Sequence, residues 1–274
     1  MIHLDPATVV HAKLTPQDVV VCHDMGPITH PDLFAPGVSQ LYAWAFREVA
    51  EARPRLVCVS QASLDTFRGL YGDLPDQRVI YPSIRTEVSA GGDAPVDGVR
   101  GPYVLTVGSI GRRKNQSGSI AAFARSGLAA EGWSYVLCGG REPGYEEVAA
   151  LAAQTQGVKL LPYVSDPQLN WLYRHAGGFV LMSHLEGFGI PVAEAVVRGL
   201  TPLVTRGTVL EEVAGAGAVT ADCRDVASMA DGLRQLARMS DEERKQRHAA
   251  LDLSIKRFNQ EAFAAGWLEL LEAQ

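Results

Sequence analysis

The sequence predicts an α/β fold of two Rossmann-like domains with parallel sheets, the first of them shortened. Three observations predict it. Short β-rich runs alternate with helical patterns along the chain. These runs are continuously apolar, as strands covered by helices on both faces require. A polar, Gly-rich stretch without periodicity, Thr86 to Gly101, interrupts the alternation as a linker would.

Before the linker, strands are expected at Val19–Cys22, Leu56–Val59 and Val79–Tyr81. After it they are expected at Tyr103–Val107, Tyr135–Cys138, Lys159–Leu161, Phe179–Met182, Leu203–Thr205 and Ala218–Val219. Helical patterns fall at Leu41–Ala52, Gln116–Ser126, Tyr145–Gln156, Gln168–His175 and Val226–Met239. Asp166 reads as an N-cap with Pro167 at the first helical position, and Ser240 to Glu243 reads as a capping box. The strands after the linker suffice for a complete Rossmann-like sheet, whereas those before it make a thin one. The boundaries are therefore 1–88 for the first domain, 89–100 for the linker and 101–257 for the second domain.

With 274 residues and 47% apolar content the chain can bury sizeable cores, and 20% charged residues with no low-complexity tract indicate a soluble globular protein. A net charge of -6 argues against a nucleic-acid partner. No apolar stretch approaches the ~18 residues that mark a membrane span, and the N-terminal Met-Ile-His-Leu-Asp-Pro lacks the features of a signal peptide. Cys22, Cys58, Cys138 and Cys223 form no C-x-x-C, so neither disulfides nor zinc is expected. A cytoplasmic location is expected.

The most informative segment is Ser183 to Gly199. Glu186 and Glu194 stand seven residues apart, with Gly187, Phe188, Gly189, Ile190 and Pro191 directly after the first. An apolar strand precedes the segment, and a helix closed by Gly199 follows it. The turn between offers backbone N–H groups and the positive end of a helix dipole, which suit a phosphate. A carboxylate at each end suits a ligand with hydroxyl groups on both sides of a diphosphate, which describes a nucleotide sugar. The plain alternative is that Glu186 caps the turn and Glu194 is a solvated helix residue.

Other constellations lie at carboxyl ends of expected strands, where open α/β sheets bind ligands. Gly108-Ser109-Ile-Gly-Arg-Arg113-Lys114-Asn115 follows one, and Arg113 with Lys114 could neutralise a diphosphate. Alone, two such residues are usually just solvated. His23-Asp24 follows another, and His23 could bond a sugar hydroxyl, move a proton, or merely cap a loop. Cys138-Gly139-Gly140 could admit a ligand or form a tight connection, and Val164 could line the same cleft.

Together these residues resemble family 4 of the retaining glycosyltransferases, enzymes of the GT-B fold. Glu186-Gly-Phe-Gly-Ile-Pro with Glu194 resembles its E-x7-E motif, and Val107 to Asn115 resembles its donor-phosphate loop. His23-Asp24 followed by His30-Pro31 resembles its His-Asp turn, Val59 to Ser63 a later strand of its first domain, and Tyr81-Pro82 the exit toward the linker. Val209 to Val213 resembles the segment after the E-x7-E helix. Two features depart from the pattern. Many members carry arginine where this chain has Ser109, and members usually have about two more strands and a Gly-rich loop before the His-Asp turn. Either the chain begins late or it is a reduced variant.

The resemblance implies two Rossmann-like domains facing across a cleft, with a C-terminal helix at about 258–274 returning to the first. It implies a metal-independent, retaining transfer of a mannose- or glucose-type hexose from a GDP- or UDP-linked sugar to a glycan or lipid-linked saccharide. Arg113 and Lys114, with Ser109, would hold the diphosphate, and Glu194 the ribose. Glu186 and the backbone of Gly187, Phe188, Gly189 and Ile190 would hold the transferred sugar, with His23 near the reacting carbon. No cofactor and no metal ligand are expected. Peripheral contact with the inner face of a membrane, a homodimer and a missing partner segment stay open. So do a nucleotide-sugar-binding domain inactive alone, half of a two-chain enzyme, and a GT-B sugar epimerase.

Overall fold

The computed structural model describes residues 1–11, 13–84 and 92–272. These form two compact units, one of Met1–Ile84, Leu185–Phe188 and Phe258–Gln274, the other of Arg85–His184 and Gly189–Arg257.

In the first unit four strands, β1 (Ile2–His3), β2 (Val19–Cys22), β3 (Arg55–Cys58) and β4 (Gln77–Val79), form a parallel sheet in the order β1-β2-β3-β4. Val19, Val20, Val21 and Cys22 lie opposite Arg55, Leu56, Val57 and Cys58, which fixes the faces. Val20, Cys22, Leu56 and Cys58 join Phe46 and Phe67, from helices Val38–Ala52 and Gln61–Tyr71, in one core. Val19 and Val57 point the other way and pack with Ile80 and Leu270, the latter from helix Gln260–Glu272. The period of two along each strand thus feeds two buried faces.

The second unit carries β5 (Tyr103–Val107), β6 (Ser134–Cys138), β7 (Val158–Leu161), β8 (Gly178–Leu181), β9 (Pro202–Thr205) and β10 (Val219–Ala221). All pairings are parallel, and the order is β10-β9-β8-β5-β6-β7. From β5 the chain moves outward to β6 and β7, then returns to β8 on the other side and moves outward to β10. The direction therefore reverses between β5 and β8, the kind of position at which open α/β sheets bind ligands. Buried Thr106 joins the two strands, donating to the Val180 carbonyl at 2.5 Å and accepting from the Tyr135 hydroxyl at 2.8 Å. A core including Phe123, Tyr135, Leu203 and Leu233 lies on the sheet.

Several elements differ from the sequence expectation. The first sheet has a fourth strand, β1, whose two residues are too few to show a pattern. Val59, Ile80, Tyr81 and Met182 fall outside the strands, and β10 starts at Val219. Ser165 rather than Asp166 caps the helix Asp166–His175, because Ser165 and Gln168 bond one another's backbone in a reciprocal box. At Ser240 only half the expected box forms: its hydroxyl accepts from Glu243 N–H, while the Glu243 carboxylate accepts from Arg247 at 3.0 Å. Of the expected linker, residues 89–91 lie outside the described residues. The rest is fastened to the second unit, with Ala94 N–H on the Pro167 carbonyl at 3.1 Å, Asp93 paired with Arg174, and Val96 and Val99 buried.

Candidate functional site

The loop leaving β5 is built largely by backbone bonds to the loop leaving β6. Gly108 donates to the Cys138 carbonyl at 3.0 Å, Ile110 to that of Gly140 at 2.7 Å, and Glu142 to that of Ile110 at 2.8 Å. A Cβ on Gly139 would stand 1.9 Å from the Gly108 carbonyl oxygen, and Gly139 has φ +151°. Its glycine therefore serves a tight connection, one of the two roles its sequence left open. Gln116 closes the loop from inside, accepting from Gly111 N–H at 3.1 Å and donating to the Ser109 carbonyl at 2.8 Å.

Three polar side chains gather on this loop. Ser109 Oγ donates to Glu142 Oε1 at 2.6 Å, and Arg113 donates to the same oxygen at 2.9 Å. Lys114 is buried, only 7% exposed. Burial pushes the Glu142 carboxyl up, but bonds from Ser109 and Arg113 and the charges of Arg113 and Lys114 outweigh it and hold the group below the ordinary glutamate range. The loop therefore carries two cations whose charges act on one carboxylate, Arg113 in direct contact with it.

Across the reversal point, the loop leaving β8 is tied to this one by His184 N–H, which donates to the Arg113 carbonyl at 3.0 Å. It leads to helix Ile190–Val197, whose N-cap is Gly189, with no side-chain cap. A Cβ on Gly108 would lie 4.0 Å from Pro191, so the start of this helix abuts the β5 loop. Ile190 is exposed at its mouth. One turn in, Glu194 Oε2 accepts from the Tyr173 hydroxyl at 3.2 Å, while the Arg198 guanidinium lies 4.5 Å over the Tyr173 ring. Burial, and next the charge of Glu194, raise the Tyr173 phenol well above its ordinary value, so it stays a donor at neutral pH. Val164 follows the edge strand β7, while the other residues of this group lie around β5 and β8.

The first unit holds the remaining residues. The His23 ring is exposed, and its Nε2 lies 2.8 Å from the Leu4 carbonyl. A carbonyl only accepts, so Nε2 carries the proton in this contact. The His23 carbonyl accepts from Ser63 Oγ at 3.1 Å, and a Cβ on Gly187 would stand 2.4 Å from that same carbonyl oxygen. Glu186 thus precedes a glycine pressed on the His23 turn. The Phe188 ring is buried against Phe258, with centroids 4.9 Å apart, and near Tyr81, which leaves its backbone as the part able to meet a ligand. Among the described residues no three His, Cys, Asp or Glu side chains are grouped to hold a metal ion, and no helix is long and apolar enough to cross a membrane.

Residues 98–252, more than half of the chain, match the family described as glycosyl transferases group 1. The chain belongs to that family. It is similar to the O-antigen chain mannosyltransferase B of Escherichia coli, at 32% identity over 45% of this chain and 34% of that one. It is also similar to the serotype-specific mannosyltransferase WbdA of Escherichia coli, at 23% identity over 71% of this chain and 26% of that one. The chain thus spans about a third or less of these relatives' length. Among solved structures, a UDP-forming α,α-trehalose-phosphate synthase from Burkholderia vietnamiensis superposes with a TM-score of 0.70 at 13% identity, covering 98% of this chain and 74% of that one. At that identity the likeness shows the fold, which is of GT-B type.

Sequence reading missed two members of the site, Glu142 and Tyr173. Glu142 could have been sought as an acidic residue leaving a neighbouring strand, since the β5 loop carries excess cations. Tyr173 gave no such signal, because an aromatic residue on a helix ordinarily reads as core.

Proposed function

We propose that this chain binds a GDP- or UDP-linked sugar and transfers its hexose, of mannose or glucose type, with retention to a glycan or lipid-linked saccharide. The observation that carries the proposal is the meeting at the β5/β8 reversal of a cation-bearing loop and the N-terminus of helix Ile190–Val197, with a carboxylate one turn in. In this reading Arg113 and Lys114 bind the diphosphate and stabilise it as leaving group. Ser109 assists them, and Glu194, oriented by Tyr173, accepts from the ribose hydroxyls. Within the first unit the His23 turn and the Glu186–Phe188 segment, packed on one another, hold the transferred sugar. No cofactor or metal is assigned a role. The mannosyltransferase relatives and the UDP-forming neighbour support the sugar and donor class.

Calorimetric titration with GDP and UDP, together with transfer assays and NMR of the product's anomeric proton, tests this reading. Lys114→Ala is expected to weaken nucleotide binding by about 1.5–3 kcal/mol, and Glu194→Ala to weaken it further for nucleosides than for pyrophosphate. Unchanged binding in both variants would overturn the donor site.

A second reading is favoured by the limited share of its relatives that the chain spans. Here the chain binds the donor but requires a further polypeptide segment or partner for transfer. Turnover by the isolated chain excludes it.

A further inference from the structure

In the β5 loop the hydroxyl of Ser109 and the guanidinium of Arg113 converge on a single oxygen, Glu142 Oε1, at 2.6 and 2.9 Å, with the Lys114 charge acting on the same carboxylate. A hydroxyl and a guanidinium N–H directed at one oxygen, with an ammonium charge acting on the same group, form a donor set suited to a phosphate oxygen. Here an internal carboxylate takes it. Glu142 is held there by its own backbone: its N–H donates to the Ile110 carbonyl at 2.8 Å, and its carbonyl accepts from Tyr145 N–H at 3.0 Å. Its Cβ is so close that a Cβ on Gly111 would stand 2.7 Å away. The side chains of Arg113 and Glu142 are 24% and 28% exposed, so their attraction is only partly screened by water.

We propose that Glu142 is a built-in counter-anion of the phosphate loop, and that a diphosphate binds by displacing its carboxylate from Ser109 and Arg113. This rests on the donor-site reading above and adds to it the residue that sets affinity. The physical reason is competition. Two anions cannot share one cation pair without repulsion, so an entering phosphate must expel the carboxylate or lie beside it at a cost. Between binding events Glu142 offsets part of the loop's positive charge and holds the Arg113 guanidinium on its carboxylate. After transfer the returning carboxylate displaces the nucleoside diphosphate product, so Glu142 exchanges donor affinity for product release.

The test uses the full chain and calorimetric titration with inorganic pyrophosphate, GDP and UDP at low and high salt. Glu142→Gln keeps the size and an oxygen acceptor for Ser109 and Arg113 but removes the charge. It is expected to bind pyrophosphate roughly tenfold more tightly than the parent at low salt, with the gain shrinking at high salt. Pre-steady-state release of the nucleotide should slow by a similar factor. Equal or weaker pyrophosphate binding in Glu142→Gln, with its melting curve still cooperative, overturns the proposal, as does failure of parent and variant alike to bind pyrophosphate. Failure of the donor-site reading is distinguishable: pyrophosphate would respond to Glu142→Gln as expected, while GDP and UDP would bind no more tightly than pyrophosphate itself.

Discussion

The turn after β2 and the loop after β5 each leave the carboxyl end of an inner strand of a parallel sheet, yet they are held by different physics. Each is pinned by one glycine against a backbone carbonyl: Gly187 against His23 in the first unit, and Gly139 against Gly108 in the second. The β5 loop has in addition an ionic lock of Ser109, Arg113 and Glu142. The His23 turn is completed by a neutral bond from Ser63 and by the Leu4 carbonyl. Steric pins fix where backbone lies, whereas an ionic lock fixes a side chain that another anion can release. The difference separates a turn built to stay from a loop built to exchange partners.

The sharpest way to break this comparison is to add a methyl group at each pin. Gly139→Ala meets a backbone oxygen at 1.9 Å and a φ that side chains rarely adopt, so a loss of at least about 3 kcal/mol is expected in chemical denaturation. Gly187→Ala, at 2.4 Å from the His23 oxygen without that φ, should cost about 2–3 kcal/mol in the same measurement. Stability unchanged in either variant would show that the pin can yield.

Smaller effects sharpen the electrostatic half. Tyr173→Phe deletes the hydroxyl on Glu194 while keeping the ring beneath Arg198, and should weaken GDP or UDP binding by about 1 kcal/mol without altering pyrophosphate binding. Equal losses for both ligands would mean that Tyr173 does not act through Glu194. Glu142→Gln should lower stability at neutral pH by less than about 1 kcal/mol. The Glu142 carboxyl lies below its ordinary range in the folded chain, so its contribution is present above the unfolded-state value and disappears as pH falls through the folded one. Melting curves of parent and variant should therefore converge on acidification, and a gap that widens toward low pH would contradict the lock.

Most of the fold was legible because apolar runs and helical periods are local. Val19–Cys22, Tyr103–Val107 and Gln116–Ser126 have the same bounds in sequence and structure. The loop that carries Arg113 and Lys114 and the one that leads into the helix bearing Glu194 were legible as motifs at strand ends. What escaped depends on which strands become neighbours. Glu142 meets Arg113 because β6 pairs with β5, and Tyr173 meets Glu194 across elements that no spacing connects. Leu185–Phe188 reads as a continuation of the β8 loop, yet its contacts place it with the first unit, through Leu185 against Gly26 and Gly187 against His23. Such associations follow from the order of packing, which a linear pattern does not encode.

The pairing of β5 with β8, where Val104 meets Gly178, has a consequence for folding kinetics. The β5 loop can form as soon as β6 docks, from segments close in the chain, whereas the helix opposite it arrives only when a much longer loop of chain closes. Long-range parallel pairing is slow because its closure entropy is lost before its contacts form. During refolding, an anion-attracting loop should therefore precede the complete site proposed for the nucleotide. Recovery of nucleotide binding would then time the closing of the central sheet, and a phosphate-like anion would time the earlier step.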